Sequence, residues 1–111
     1  MGRFVRGDVV VLNFPFSDLT GTKRRPALVV ADLINDDIIL CQITGRSKKD
    51  KYAVNLNNGD CVNGNLNIES YVRSNKLFTA DEKTILYKIC CITDNKMKEV
   101  INIIISFINN A

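Results

Sequence analysis

With no histidine in its 111 residues, this chain must rest any chemistry on Arg, Lys, hydroxyls, single carboxylates and backbone amides. Lys23-Arg24-Arg25 leads into Pro26 and a Val-rich run, while Arg46, Lys48, Lys49 and Lys51 gather around Asp50. A guanidinium at the mouth of a buried strand is held in space, and its planar fork matches two oxygens of one phosphate. Arg25 is therefore the leading donor to an anion; a surface ion pair with Asp18 or Asp8 is the alternative use of its charge. Thr44 ends an apolar run just before Gly45 and the second basic cluster. Its hydroxyl can donate to the same anion, or the residue can serve only the β-propensity of its strand. Each cluster can be a solvated loop, but two of them flanking consecutive strands suit a polyanion groove. Lys23, Arg24, Arg46, Lys48 and Lys49 are then the backbone-binding candidates. Phe14, Phe16 and Tyr52 can each stack on a base, a contact worth roughly 1–3 kcal/mol. Phe14 fits the core better, and Phe16 stays open as an RNA contact.

What is missing narrows the reaction. Without histidine there is no Ser-His-Asp or Cys-His machinery and no two-histidine nuclease dyad. Neither G-x-x-x-x-G-K-[ST] nor G-x-G-x-x-G is present to cradle phosphate. Asp and Glu are scattered, and the four cysteines include no C-x-x-C pair. A zinc site would need all four thiolates to converge. Cys41 and Cys90 sit in apolar runs and fit a core instead. No metal and no cofactor is expected. RNA suits this inventory because it brings its own nucleophile, the 2′-OH. Alignment of that group can be worth roughly 7–11 kcal/mol, and a fixed cationic donor can add roughly 3–4 kcal/mol by meeting charge that develops in the transition state.

The elements that must position these groups are mostly strands. Asp8–Phe14, Pro26–Ala31 and Ile38–Thr44 are Val/Ile-rich runs bounded by turn residues. Pro15–Arg24 is expected to be a long loop, with Pro26 at the first position of the next strand. Lys51–Leu56 alternates, Asn57–Asn67 carries Asn-Gly turn chemistry, and Ser70–Val72 and Lys76–Thr79 are short strand candidates before Thr84–Ile92. Thr93 or Asp94 caps a helix in which Met97, Val100, Ile101, Ile104 and Ile108 recur at helical spacing. The expected fold is mainly β (α+β), a small curved sheet or barrel of roughly five to seven short strands closed by a terminal helix. The chain is the length of one domain, taken as residues 1–111. Its 15 basic and 12 acidic residues give only +3. Position of charge, not its total, is what speaks for RNA. No signal-peptide pattern precedes Gly7 and no apolar run reaches the roughly 20 residues of a membrane span, which fits a reduced cytoplasmic compartment.

Gly7-Asp8-Val9-Val10-Val11, the path into Arg25-Pro26 and the strand Ala27–Val30 resemble the first hairpin of the MazF/PemK toxins of type II toxin–antitoxin systems. Cys41-Gln42-Ile43-Thr44 is similar to the strand that ends in their active-site threonine, and the final strand and helix match their C-terminal layout. The resemblance implies an SH3-like barrel and a homodimer. It also implies metal-independent cleavage of single-stranded RNA at short motifs, leaving a 2′,3′-cyclic phosphate and a 5′-OH. A cognate antitoxin with an acidic disordered segment would cover the groove. Arg25 and Thr44 carry over as catalytic residues. Where many members have an acidic residue followed by Gln, this chain has Thr20-Gly21, and an Asp-Gln pair of some members is Ser70-Tyr71 here. No general base carries over. Two other readings fit the same residues: a CcdB-like toxin that binds gyrase, and an RNA-binding barrel without catalysis.

Overall fold

The computed structural model describes residues 3–18, 21–46, 51–66 and 69–110, with the side chains of residues 15–18, 21 and 22 outside the description. Seven strands and one helix follow in order: β1 (Asp8–Asp18), β2 (Gly21–Asp32), β3 (Asp37–Thr44), β4 (Ala53–Leu56), β5 (Cys61–Val62), β6 (Ser70–Asp81), β7 (Ile85–Ile92) and α1 (Asp94–Asn109). The strands form one antiparallel sheet in the order β4-β6-β3-β2-β1-β7-β5. It curls into a half-barrel against α1, the mainly β architecture expected.

Alternation along the strands builds two cores. Val9, Leu28, Val30, Cys41, Ile43, Val54, Leu56, Val72 and Cys90 point to one face, where Met97, Val100 and Ile104 of α1 cover them. Successive strand residues point to opposite faces. Val10, Leu12, Phe14, Ala27, Val29, Ile38 and Leu40 therefore form a second cluster on the other face. Phe14 is buried there, edge-on to Phe78 at 5.1 Å between ring centroids. The helix starts where the sequence says: the Thr93 hydroxyl accepts from Lys96 N at 3.4 Å.

Two expectations are corrected. Pro15–Arg24 is not a long loop, because β1 and β2 run on as a hairpin in which Phe14 faces Lys23 and Asp18 faces Gly21, with a register irregularity between. Beyond Leu12 β1 has only β2 as a neighbour, so Pro15 and its polar neighbours interrupt no inner ladder. Pro26 consequently lies inside β2, opposite Val11 and just before pairing with β3 begins at Ala27. Second, Ser70–Val72 and Lys76–Thr79 belong to the single strand β6. Cys41 faces Leu77 and Gln42 faces Arg73, so Ser74, Asn75 and Lys76 form a bulge with no partner in β3, Ser74 turned inward and fully buried.

Asp8 is the one buried carboxylate at the start of β1, and it is fully used. It accepts from Val5 N at 3.0 Å and pairs with Lys88 Nζ at 3.2 Å. That hydrogen bond raises the Lys88 pKa above its ordinary value. At the far edge, Gly64 lies directly against the backbone of Ile89 and the Cβ of Cys90. A Cβ at Gly64 would overlap the Ile89 carbonyl, which backbone cannot yield cheaply. Gly64→Ala should therefore cost about 1–3 kcal/mol, as overpacking does. Urea unfolding measures this as a lower midpoint at unchanged slope, and an unchanged midpoint would show that the segment repacks freely.

Candidate RNA-binding cleft

The face that carries the second core changes character along its strands. On β3 the residues Ile38 and Leu40 give way to Gln42 and Thr44; on β2, Val29 and Ala27 give way to Arg25. Ala27 faces Gln42, Gln42 faces Arg73, and Thr44 faces Tyr71, so these residues share one face across three strands. The bulge matters here. An odd number of extra residues on β6 exchanges its two faces, bringing Arg73 and Tyr71 to the side where Phe78 and Ala80 lie.

The result is an open cleft of about 270 Å³ lined by Arg25, Gln42, Ile43, Thr44, Arg46 and Arg73. It brings together Arg25 and Thr44, the two expected catalytic residues, and Arg46. Three arginines line it, and none forms an ion pair with a carboxylate among the described residues, the side chain of Asp18 lying outside that description. Among the described residues, Arg73 Nε is buried without a hydrogen-bond partner. An unpaired buried donor is costly, and an anion in the cleft would relieve it. Asp8, one proposed partner for Arg25, is engaged with Lys88 instead. Thr44 Oγ accepts from Arg46 N at 3.2 Å, a turn that orients the hydroxyl and leaves its own proton free to donate.

The other expected RNA contacts are distributed differently. Lys23 is exposed opposite Phe14, on the face of the cleft but beyond its lining. Arg24 is exposed opposite Asn13, and alternation turns it to the other face of β2. Lys48 and Lys49 lie outside the described residues, as does the side chain of Phe16. Arg73 and Gln42 escaped the sequence reading. Arg73 stands alone between apolar and polar residues, and only the register of β6 reveals its neighbours. The signal that could have found it was the break between the two short strand candidates, which is the bulge itself.

The buried thiols of Cys41 and Cys90 do not offer a nucleophile to this cleft. Burial pushes the Cys41 pKa up to about 12, and its Sγ faces the Ser74 carbonyl at 3.9 Å. Cys90 is also pushed to about 12, by burial first and then by Cys61, to which its Sγ donates at 2.7 Å. Both are protonated at neutral pH, and thiolates are the reactive form. Among the described residues no group of three or more His, Cys, Asp or Glu gathers as a metal site would require. A larger hollow of about 540 Å³ lies beside Tyr52 and the end of α1, lined by Lys51, Tyr52, Ile103, Ser106, Phe107 and Asn110. It lacks the converging cations of the smaller cleft.

Solved structures with this fold are known. The MazE–MazF complex from Deinococcus radiodurans superposes with a TM-score of 0.78 at 21% identity, covering 96% of each chain. An endoribonuclease in complex with its cognate antitoxin, from a mycobacterial species, gives 0.77 at 14% identity over 96% of this chain and 95% of the other. The Mycobacterium tuberculosis toxin MazF-mt6 gives 0.69 at 14% identity over 92% of this chain and 96% of the other. At these identities the likeness is one of fold. No curated protein sequence matches the chain significantly. The sequence itself supplies the family, for residues 5–108 match the model of the PemK-like, MazF-like toxins of type II toxin–antitoxin systems. With a cationic cleft on the matching half-barrel, this chain belongs to that toxin family.

Proposed function

We propose that this toxin is an endoribonuclease that cleaves single-stranded RNA in the cleft of Arg25, Thr44 and Arg73, without a metal. The observation that supports the reading is one cleft lined by three arginines and a threonine, with a buried unpartnered Arg73 Nε and no carboxylate in its lining among the described residues. In the proposed reaction the 2′-hydroxyl gives up its proton to solvent and attacks the adjacent phosphorus, the P–O5′ bond breaks, and the departing 5′-oxygen takes a proton from solvent. The products are a 2′,3′-cyclic phosphate and a 5′-OH. Arg25 meets the charge that grows on the non-bridging oxygens, and the Thr44 hydroxyl donates to the same phosphate. Arg73 holds the phosphate in register and Lys23, Arg46, Lys48 and Lys49 track the rest of the backbone, while Arg24, turned to the other face of β2, lies away from this cleft. Phe16 is a further RNA contact in this reading.

The chain acts as one toxin domain in the cytoplasm, as a homodimer. Ile105 and Ile108 of α1 and Leu86 and Tyr87 of β7 are large exposed apolar residues that a second copy would cover. No described helix is long and apolar enough to cross a membrane. The inhibitor is an antitoxin whose acidic, disordered segment occupies the cationic cleft, since the same unpaired guanidinium groups suit carboxylates.

Arg25→Ala should slow single-turnover cleavage at saturating enzyme by roughly a hundredfold or more, the cost of one preorganised donor. Thr44→Ala should do less, because a neutral hydroxyl is a weaker donor. Wild-type cleavage by the Arg25 variant would remove that residue from the chemistry, and RNA binding without cleavage by the unmodified protein would favour the non-catalytic barrel. Cleavage should persist in EDTA and leave cyclic-phosphate ends, read by their resistance to phosphatase before acid opening. Metal-dependent products with 5′-phosphates would overturn the mechanism. Finally, an acidic peptide should compete with RNA for the cleft and lose affinity as salt rises. Competition that Arg25→Ala and Arg73→Gln leave untouched would place the antitoxin elsewhere.

A further inference from the structure

Beside the phosphate cleft, the same face continues across β6 to β4 with residues of a different kind. Thr44 faces Tyr71, and Tyr71 faces Asn55, so the three stand in one row across adjacent strands. Neighbouring strands lie about 4.8 Å apart, which sets Tyr71 next to the threonine and Asn55 one strand further. Tyr71 is half-buried and has neither a hydrogen bond nor a ring contact among the described residues. Asn55 Nδ2 donates to Glu69 Oε2 at 2.8 Å. That bond fixes both groups and leaves Asn55 Oδ1 and Glu69 Oε1 as acceptors. Glu69 lies outside the lining of the arginine cleft and forms no ion pair with Arg25, Arg46 or Arg73 among the described residues. On the rim of an RNA groove it would repel phosphate, so its useful partner is a hydrogen-bond donor of the ligand.

We propose that Tyr71, Asn55 and Glu69 form a base-reading subsite for the nucleotide adjoining the phosphate at Arg25 and Thr44, selecting a base that presents an amino group. This rests on the ribonuclease reading of the neighbouring cleft. The Tyr71 ring supplies a stacking platform, which tolerates any base. Selection comes from the two acceptors. Adenine, cytosine and guanine each offer an exocyclic amino group to them. Uracil offers only its single N3–H, which can meet one of the two acceptors, and the carbonyl oxygens on both sides of it would then repel the other.

The test is to digest an RNA pool with a randomised segment and sequence the new ends, using the unmodified protein, Glu69→Gln and Tyr71→Leu. With the unmodified protein, one position next to the cut should disfavour uracil by about tenfold, within the range of one hydrogen-bonded base discrimination. Glu69→Gln should admit uracil at that position alone, because an amide offers a donor as well as an acceptor. Tyr71→Leu should raise the RNA concentration for half-saturation by about fivefold or more, the loss of one stacked base, with the saturated rate little changed. Uracil accepted equally at every position, or a Glu69→Gln profile that superimposes on that of the unmodified protein, would overturn the subsite. If no RNA is cut, the ribonuclease reading fails separately, and fluorescence anisotropy decides the subsite. Oligoadenylate should then bind about tenfold more tightly than oligouridylate, and Glu69→Gln should erase the difference; equal affinities for the unmodified protein would refute it.

Discussion

The register of β6 against β3 is the constraint on which the cleft depends. Every cross-strand pair on one face of a sheet inherits its alignment from the pair before it, and a slip of one residue sends each side chain to the opposite face. Here Leu40 faces Phe78 in the second core, while Gln42 faces Arg73 in the cleft. Between them Ser74, Asn75 and Lys76 form the bulge, held where Ser74 N donates to the Tyr52 carbonyl at 3.1 Å. An even number of extra residues would have turned Arg73 toward the core under α1 and put Val72 in the cleft. The bulge thus converts one strand into an apolar half that seals a core and a polar half that offers a guanidinium.

Electrostatics divide the molecule in the same way. The buried carboxylate Asp8 is satisfied by Val5 N and Lys88, and Lys96 pairs with Asp60 and Glu99 near the start of α1. Those pairs stabilise local structure, though exposed ones contribute little. In the cleft the opposite holds: Arg25, Arg46 and Arg73 have no carboxylate among the described residues. Like charges gathered without counter-charges repel, so the arrangement costs stability that a bound polyanion restores. A net charge of only +3 conceals this, because the balance is struck elsewhere on the surface.

Packing explains why so small a sheet holds a cleft in place. Val9, Leu28 and Cys41 are fully buried on the helix side, and Val10, Ala27 and Leu40 are fully buried on the other. The central strands are therefore clamped on both faces over most of their length. Arg25 and Thr44 emerge where that double burial ends, one or two residues beyond Ala27 and Ile43 in their strands. A close-packed interior resists displacement, and groups at its margin inherit that rigidity while remaining open to a ligand.

Much of this was legible in the chain itself. The Val-rich runs, the alternation of Lys51–Leu56 and the 3.6-residue spacing from Met97 to Ile108 specify strands and a helix through local periodicity, which needs no partner. Arg25 and Thr44 were legible because each adjoins the end of an apolar run, where a strand leaves the core. The hairpin over Pro15–Arg24 was not, since Pro, Gly and charge mark a loop by local preference, and only pairing with one neighbour lets them extend a strand. The places of Arg73 and Gln42, and the grouping of Tyr71 with Asn55 and its partner Glu69, were likewise invisible. Their proximity is a property of which strands pair and in what register, and a non-local hydrogen-bond ladder leaves no mark on the sequence of any single strand. The amino acids determined which segments fold as strands and where charge resides; the tertiary structure decided which side chains face one another, because the parity of a bulge is settled only when two strands meet.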